Sequence, residues 1–172
     1  MGGHAVKHSR SGPRLAAAGG VLFLLACGFS GPAAADNYLA AFAGNWIGQG
    51  AVRPSPDAAP EAVYCRIAAE LSADGNMLQQ NGRCAGGNES GRISGLLQYD
   101  PARRTVTGQW QGGRRGAATL TGQRRGNRLV VELRFESGPE DRFTMTLEPL
   151  TSGRYRMSLS GGAQGEILFE RQ

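Results

Sequence analysis

The sequence predicts an all-β protein, an antiparallel up-and-down meander closed into a β-barrel of about eight to ten strands with one disulfide. Turn residues, mostly glycine, recur about every 8–12 residues after residue 36. Several segments between these turns alternate apolar and polar residues, as a strand with one buried face does. The connections are short enough for hairpins, so successive strands are expected to be antiparallel neighbours. Closing the meander into a barrel removes its two exposed edges.

Residues 1–35 have the pattern of a secretory leader and are not expected to belong to the barrel. A basic start is followed by the apolar run LAAAGGVLFLLACGF and then by GPAAAD, which places small residues before Asp36. The pattern predicts export to the periplasm or the extracellular space, with residues 36–172 as one domain. Cleavage ahead of Cys27 is the alternative, and it would leave a lipid-anchored protein.

Ten strands are predicted, and they follow a short helical turn within residues 36–42. The alternation is clearest in LVVELRF, where Leu129, Val131 and Leu133 share one face and Glu132 lies on the other. The segments RFTMTLE and RYRMSLS show the same pattern, which indicates a sheet with one wet face and one buried face. The predicted strands cover about residues 45–52, 62–72, 76–84, 91–99, 104–111, 116–123, 127–135, 141–149, 154–160 and 165–171.

Two cysteines remain after the leader, Cys65 and Cys84, and an even count in an exported chain favours a disulfide. The dipeptide Asp74-Gly75 signals a two-residue hairpin turn between the strands that carry them. A turn at this position places Cys65 directly opposite Cys84, at a separation that a disulfide spans. The same register gives two further pairs on that face, Leu71 with Leu78 and Ile67 with Gly82.

The residues after the leader lack the side chains that most enzymes use for proton transfer and nucleophilic attack. Both histidines and the single lysine fall in the leader, and the two remaining cysteines are predicted to be bonded. No Ser-His-Asp or Cys-His arrangement is available, and a zinc site built from carboxylates alone is unusual. The charge left after the leader is close to neutral, which gives no reason to expect nucleic-acid binding. We therefore expect a protein that is not an enzyme and that holds neither metal nor cofactor.

Arginines are concentrated in turns that a meander places at one end of the barrel. Because alternate turns share an end, the turns at 100–104 and 124–128 are expected to lie together. This basic end offers a contact for anionic lipid or for another anionic part of the cell envelope, and ordinary solvated turns are the alternative. The arginines concerned are Arg103, Arg104, Arg124, Arg125 and Arg128.

Small residues occupy the predicted inward face in the third to sixth strands. Two interpretations are open. The small residues keep a cavity wall low so that a ligand fits, or they let the strands bend so that the barrel closes. The positions are Gly82, Gly95, Gly108, Ala118 and Gly122.

The segment Gly44-x-Trp46, at the start of the first strand, resembles the first-strand motif of the lipocalin–calycin superfamily. The extended Gly44-x-Trp46-x-Gly48-x-Gly50, with ten strands, is similar to nitrobindin and the fatty-acid-binding-like barrels. The resemblance implies a barrel in which the tryptophan plugs one end and an arginine of the last strand, here Arg171, packs on it. The haem-ligating histidine and the carboxylate-binding arginines of those families have no counterpart here, so the resemblance implies no particular ligand.

The segment Ala43-Gly44-Asn45-Trp46 is also similar to the start of small periplasmic metalloprotease inhibitors, which are barrels with one disulfide between early strands. In that family an N-terminal arm enters the protease cleft, and the matching arm would be residues 36–42. The longer chain and the two additional strands are departures from that family.

The leading functional hypothesis is an exported, monomeric and non-catalytic protein that binds a small apolar or amphipathic ligand inside the barrel. The Pro-rich loop RPSPDAAPE, at the end opposite the plug and near the disulfide, is a candidate lid. Protease inhibition through the N-terminal arm and a structural role in the cell envelope are the alternatives. The predicted ligand-lining residues are Leu97, Tyr99, Val106, Trp110 and Leu120, and the predicted end-closing residues are Trp46 and Arg171.

Overall fold

The computed structural model describes residues 1–3, 37–113, 115–136, 141–151 and 153–172. Two compact units are distinguished, Met1–Ala33 and Ala34–Gln172, and the strands belong to the second. Apart from residues 1–3, the predicted leader lies outside the described residues, as does the alternative lipidation site at Cys27, so export stays a prediction. Within the described ranges, no helix has the length and the apolar character needed to cross a bilayer.

One short 3-10 helix and ten strands make up the ordered elements of the described residues. Every strand was predicted, and each boundary lies within two residues of its predicted position. The 3-10 helix is Tyr38–Phe42, and the strands are β1 (Gly44–Arg53), β2 (Glu61–Leu71), β3 (Met77–Gly86), β4 (Glu89–Asp100), β5 (Thr105–Gly112), β6 (Ala117–Arg125), β7 (Arg128–Phe135), β8 (Arg142–Thr151), β9 (Arg154–Gly161) and β10 (Gln164–Arg171).

The strands form a closed antiparallel barrel, which confirms the predicted fold class. Each strand pairs with the next one along the chain, and β1 pairs with β10 to complete the circle. The closing pair places Trp46 opposite Arg171 at one end and Val52 opposite Gly165 near the other. Because closure uses the first and last strands, neither is left as an exposed edge.

The predicted disulfide between β2 and β3 is present. Cys65 and Cys84 are joined by a disulfide, and their Cα atoms lie 4.1 Å apart. The two cysteines face each other in the register, as do Leu71 and Leu78, so the predicted pairing is confirmed. Both sulfur atoms lie on the inward face, so the bond is part of the barrel wall rather than of its surface.

The turn between β2 and β3 is longer than the two-residue turn predicted from Asp74-Gly75. The Gly75 N–H donates to the Ser72 carbonyl at 2.9 Å, and the Ser72 N–H donates to the Met77 carbonyl at 2.8 Å. The Ser72 hydroxyl donates to the Asp74 carboxylate, and this hydrogen bond holds the pKa of Asp74 below its usual value. The turn lengthens equally on both strands, so the register of the cysteines is unchanged.

The barrel has two different ends. The closed end contains the 3-10 helix and the connections after β2, β4, β6 and β8, and the open end contains the connections after β1, β3, β5, β7 and β9. Leu39 and Phe42 of the helix are fully buried at 0% exposure, so the helix plugs the closed end. Inward side chains nearer the open end, including Val63, Phe143 and Leu159, are only partly buried. The interior is therefore tightly packed in one half and looser in the other.

Inward-facing glycines bring neighbouring strands close together. An ideal Cβ at Gly82 would lie 2.2 Å from the Arg66 carbonyl oxygen, and one at Gly108 would lie 2.0 Å from the Leu96 carbonyl oxygen. Gly122 has an equally close backbone neighbour. A side chain cannot fit at these distances, so these three glycines allow the strands to curve and the barrel to close. Of the two interpretations of the inward glycines, bending applies at these positions.

Candidate functional site

Trp46 fills the closed end, at the start of β1, and only 1% of it is exposed. Its indole Nε1–H donates to the Phe42 carbonyl at 2.9 Å, and the guanidinium carbon of Arg171 lies 4.5 Å from its ring centroid. The Arg171 Nη1 also donates to the Ala43 carbonyl at 2.7 Å. Trp46 is thus held by the helix on one side and by the last strand on the other, and very little of its surface is left exposed.

Aromatic rings extend this plug into the barrel. The Tyr155 ring centroid lies 4.7 Å from that of Trp46, 5.3 Å from that of Phe42 and 4.6 Å from that of Phe169. Burial raises the pKa of the Tyr155 hydroxyl well above its ordinary value. The ring therefore stays neutral near pH 7 and supplies packing rather than a phenolate base.

The arm required by the protease-inhibitor hypothesis is part of this plug. Tyr38 is 8% exposed, its hydroxyl donates to the Asn127 carbonyl at 3.0 Å, and the Arg124 guanidinium carbon lies 4.3 Å from its ring centroid. A segment held in this way cannot enter a protease cleft without uncovering the core. The structure therefore removes the basis of that hypothesis for residues 37–42, and Asp36 lies outside the described residues.

The open half of the barrel interior is the candidate ligand site. An ideal Cβ on Gly91, which faces inward from β4, would have no atom within 4 Å, so the interior is empty beside it. The space at this end has a volume of about 1510 Å³, and it also borders outward-facing residues such as Arg83 and Arg92, so only part of it is barrel interior. Its inward-facing apolar lining includes Val63, Ile67, Cys84, Ile93, Trp110, Phe135, Phe143 and Leu159, and Trp46 also borders it.

Only one of the five predicted ligand-lining residues reaches this space. Trp110 lines it, whereas Val106 of the same strand is 1% exposed and lies in the packed half. Leu97, Tyr99 and Leu120 also pack into the core, at 2%, 4% and 2% exposure, and none of them borders the space. The set of lining residues is corrected accordingly, because an inward direction alone does not place a side chain at the height of the cavity.

The lining residues that sequence reasoning missed lie at the open ends of their strands. Ile93 stands near the start of β4, Phe135 at the end of β7 and Phe143 near the start of β8. The up-and-down order of the strands predicts the position of these residues, because it determines which end of each strand lies at the open end of the barrel. The predicted lining residues rest on inward direction alone and not on position along the strand.

An arginine ties the mouth of the site together. Arg115 pairs with the Asp141 carboxylate, and its Nη2 donates to the carbonyls of Pro54 and Gly162, the latter at 3.0 Å. Its guanidinium carbon also lies 5.6 Å from the ring centroid of Phe143, which lines the site. Arg115 therefore links four of the connections at the open end, including the start of the Pro-rich loop, and its charge is already balanced by a carboxylate.

One polar side chain lies in the core below the site. Gln80 faces inward from β3 and is 8% exposed, and no hydrogen bond joins its side-chain amide to another described residue. Its next inward neighbours on the strand, Gly82 and Cys84, border the open space. The amide atoms are not among the fully buried, unpaired polar atoms of the described residues, so they are accessible to a polar partner from a ligand or from water.

The arginines predicted to form a basic end lie at the closed end, on the connection after β4 or at the adjoining ends of β6 and β7, but several are engaged with other groups. Arg103 donates to Asp100 at 2.8 Å, and this bond lowers the pKa of Asp100. Arg128 pairs with Glu148 at 3.0 Å. Arg124 stacks on Tyr38, as described above. Arg104 and Arg125 are the two remaining arginines of the predicted basic end. Contact with anionic lipid through this end stays a prediction.

Metal binding has no support in the part of the chain that the structure describes, where no group of three or more His, Cys, Asp or Glu side chains could hold an ion.

Comparison with known proteins gives a likeness of fold. No protein-family model and no curated protein sequence matches the chain. Solved structures do match, among them the S-type phycobiliprotein lyase CPES from Guillardia theta, with a TM-score of 0.51 and 13% sequence identity. The match covers 78% of this chain and 90% of that one. At this identity the likeness shows the barrel fold alone, and it shows neither the Gly44-x-Trp46 motif nor a ligand.

The comparison corrects one prediction. The chain was expected not to be an enzyme, but a protein with this fold is a lyase, which is an enzyme. The missing histidine, lysine and free thiol exclude particular nucleophiles and proton carriers, and they do not exclude catalysis by positioning or by arginine, tyrosine and carboxylate groups. The barrel is thus an architecture shared with a catalyst.

Proposed function

We propose that this protein is exported and binds a small apolar or amphipathic molecule in the open half of its barrel. The observation that carries the proposal is the empty, apolar interior beside Gly91, enclosed by a wall that a disulfide fixes at Cys65 and Cys84. Ligand sites in proteins are concave, mostly apolar and largely preformed, and this site has all three properties. The barrel shared with a phycobiliprotein lyase is consistent with a site for a small molecule.

The lining supports an apolar body for the ligand. Trp110, Phe135 and Phe143 present aromatic rings to the space, while Ile93 and Leu159 present aliphatic groups. Removing apolar surface from water contributes about 25 cal/mol per Å² buried, so these walls favour a hydrophobic molecule over a highly charged one.

Two features support a polar group on the same molecule. Gln80 lies just below the floor of the site with an accessible amide, and Arg115 stands at the mouth with its charge balanced by Asp141. A neutral hydrogen-bonding group therefore suits the floor better than an anion does. The predicted leader supports export, which places such a ligand outside the cytoplasm.

Binding of a neutral fluorescent probe tests the proposal. N-phenyl-1-naphthylamine is apolar and uncharged, and its emission rises when it leaves water, so a titration of the purified protein is expected to saturate at one probe per chain. Filling the site with Gly91→Phe is expected to weaken binding by about tenfold or more, because the ring takes the volume that the probe needs.

Gln98→Phe is the matched control, since it adds the same ring to the same strand on the exposed outer face. Probe affinity is expected to match the wild type within about twofold, well below a tenfold change. Failure of the wild-type protein to bind, or equal weakening in both variants, would overturn the proposed function.

A further inference from the structure

Three arginines form a row across the outer face of the barrel. The register sets Arg66 of β2 directly opposite Arg83 of β3, and Arg83 directly opposite Arg92 of β4. All three side chains are exposed. Neighbouring strands lie about 4.7–4.9 Å apart, so the Cα atoms of the three arginines lie within about 10 Å of one another.

No carboxylate balances this row among the described residues. The Arg66 Nε donates to the Tyr64 hydroxyl at 3.1 Å, and neither Arg83 nor Arg92 forms an ion pair with a described residue. The next position in the row toward β1 is Ile47, with Glu170 beyond it on β10, so the nearest acid along the row is two strands from Arg66.

The neighbouring rows are neutral as well. The row on one side contains Tyr64, Ala85 and Ser90, and the row on the other contains Ala68, Asn81 and Ser94. Like charges placed directly opposite each other on adjacent strands are destabilising, and here two such pairs share Arg83.

The opposite wall of the barrel is built differently. On the outer faces of β7 to β10, arginines are interleaved with glutamates, as in the contacts of Glu148 with Arg128 at 3.0 Å and with Arg156 at 3.8 Å. Arg156 also lies 3.3 Å from Glu166. Several arginines on this wall therefore have a glutamate partner, whereas the three arginines of the row on β2 to β4 have no carboxylate partner among the described residues.

We propose that the Arg66–Arg83–Arg92 row binds a soluble ligand that carries two or more adjacent phosphate groups. A guanidinium donates two parallel hydrogen bonds to a phosphate, and three of them side by side match a short chain of phosphates better than a single one. The row has fewer basic residues than the four to eight that are typical of surfaces that recognise anionic lipid. The three arginine side chains lie on the outer face of the barrel and not on its inward lining, so this proposal does not depend on a ligand in the barrel interior.

Calorimetric titration with inorganic tripolyphosphate at low ionic strength tests the proposal. The wild-type protein is expected to bind one tripolyphosphate per chain and to bind orthophosphate more weakly. Arg83→Gln and Arg92→Gln are each expected to weaken tripolyphosphate binding by about tenfold or more, because each removes a charge-assisted pair of hydrogen bonds. Circular dichroism confirms that each variant is folded.

Arg142→Gln is the matched control, because it removes one exposed arginine from the outer face of β8, away from the row. Its affinity for tripolyphosphate is expected to stay within about twofold of the wild type. Equal weakening in Arg142→Gln would show a general effect of charge and overturn the proposal. Absence of tripolyphosphate binding would also overturn it, including the case in which the protein binds vesicles containing phosphatidylglycerol instead.

Discussion

At the scale of single residues, two tryptophans in similar glycine-rich segments have different environments. Trp46 is enclosed by the Phe42 carbonyl, the Arg171 guanidinium and the Tyr155 ring, so nearly all of its surface is buried at the closed end. Trp110 faces the open half and keeps part of its surface exposed. The difference comes from position along the barrel axis. Trp46 lies near the start of β1, at the closed end, whereas Trp110 lies near the end of β5, at the open end.

Replacing Trp46 with alanine is expected to lower the free energy of unfolding by about 3–5 kcal/mol, as for a fully buried aromatic residue. The loss combines buried apolar surface with the cavity that the missing indole leaves behind. Trp110→Ala is the comparison, and it is expected to cost less because its ring is only partly buried. Chemical denaturation monitored by circular dichroism measures both values. A small loss for Trp46→Ala, equal to that of Trp110→Ala, would contradict the assigned role of Trp46 in closing the barrel.

At the scale of elements, the β2–β3 hairpin shows how turn and register are related. The four-residue turn at its tip, between Ser72 and Met77, was not predicted, because Asp74-Gly75 alone favours a two-residue turn. The register survives because the longer turn takes the same number of residues from each strand. Cys65 and Cys84 therefore meet as the sequence predicts, although the turn that joins their strands is of another kind.

Removing the disulfide with the double substitution Cys65→Ala and Cys84→Ala is expected to lower the free energy of unfolding by about 3 kcal/mol. The bond closes a loop with a sequence separation of 19 residues, and it lowers the entropy of the unfolded chain. Urea denaturation of the oxidised wild type and of the double variant measures the difference. A wild type that loses no stability on reduction would show that the bond contributes nothing to the barrel.

At the scale of the whole molecule, the alternation of residues determines which side chains face inward but not how deep they lie. Val106 and Trp110 share one face of β5, yet four residues of extended chain separate them by about 13 Å. That distance carries the chain from the packed half to the open half. The strands, their order and the disulfide could therefore be predicted from local patterns, whereas the lining of the site depended on register across ten strands.

The outer face gives a second example of a feature that depends on register between strands. Arg66, Arg83 and Arg92 are separated by many residues in the sequence and carry no shared motif, so only the pairing of three strands brings them into one row. By contrast, the arginines that are adjacent in the sequence lie in or beside turns, where Arg103 and Arg115 contact carboxylates and Arg124 contacts an aromatic ring. Sequence proximity therefore identified the more conspicuous basic cluster and missed the uncompensated one.

The two tryptophans allow one direct measurement of the division between a closed half and a ligand-binding half. Each gives one indole signal in a proton–nitrogen correlation spectrum, and the chain contains no others. Titration with N-phenyl-1-naphthylamine is expected to shift the Trp110 indole signal progressively to saturation, while the Trp46 signal stays in place. A shift of the Trp46 signal, or no shift of the Trp110 signal at saturating probe, would contradict the assignment of the open half as the ligand site.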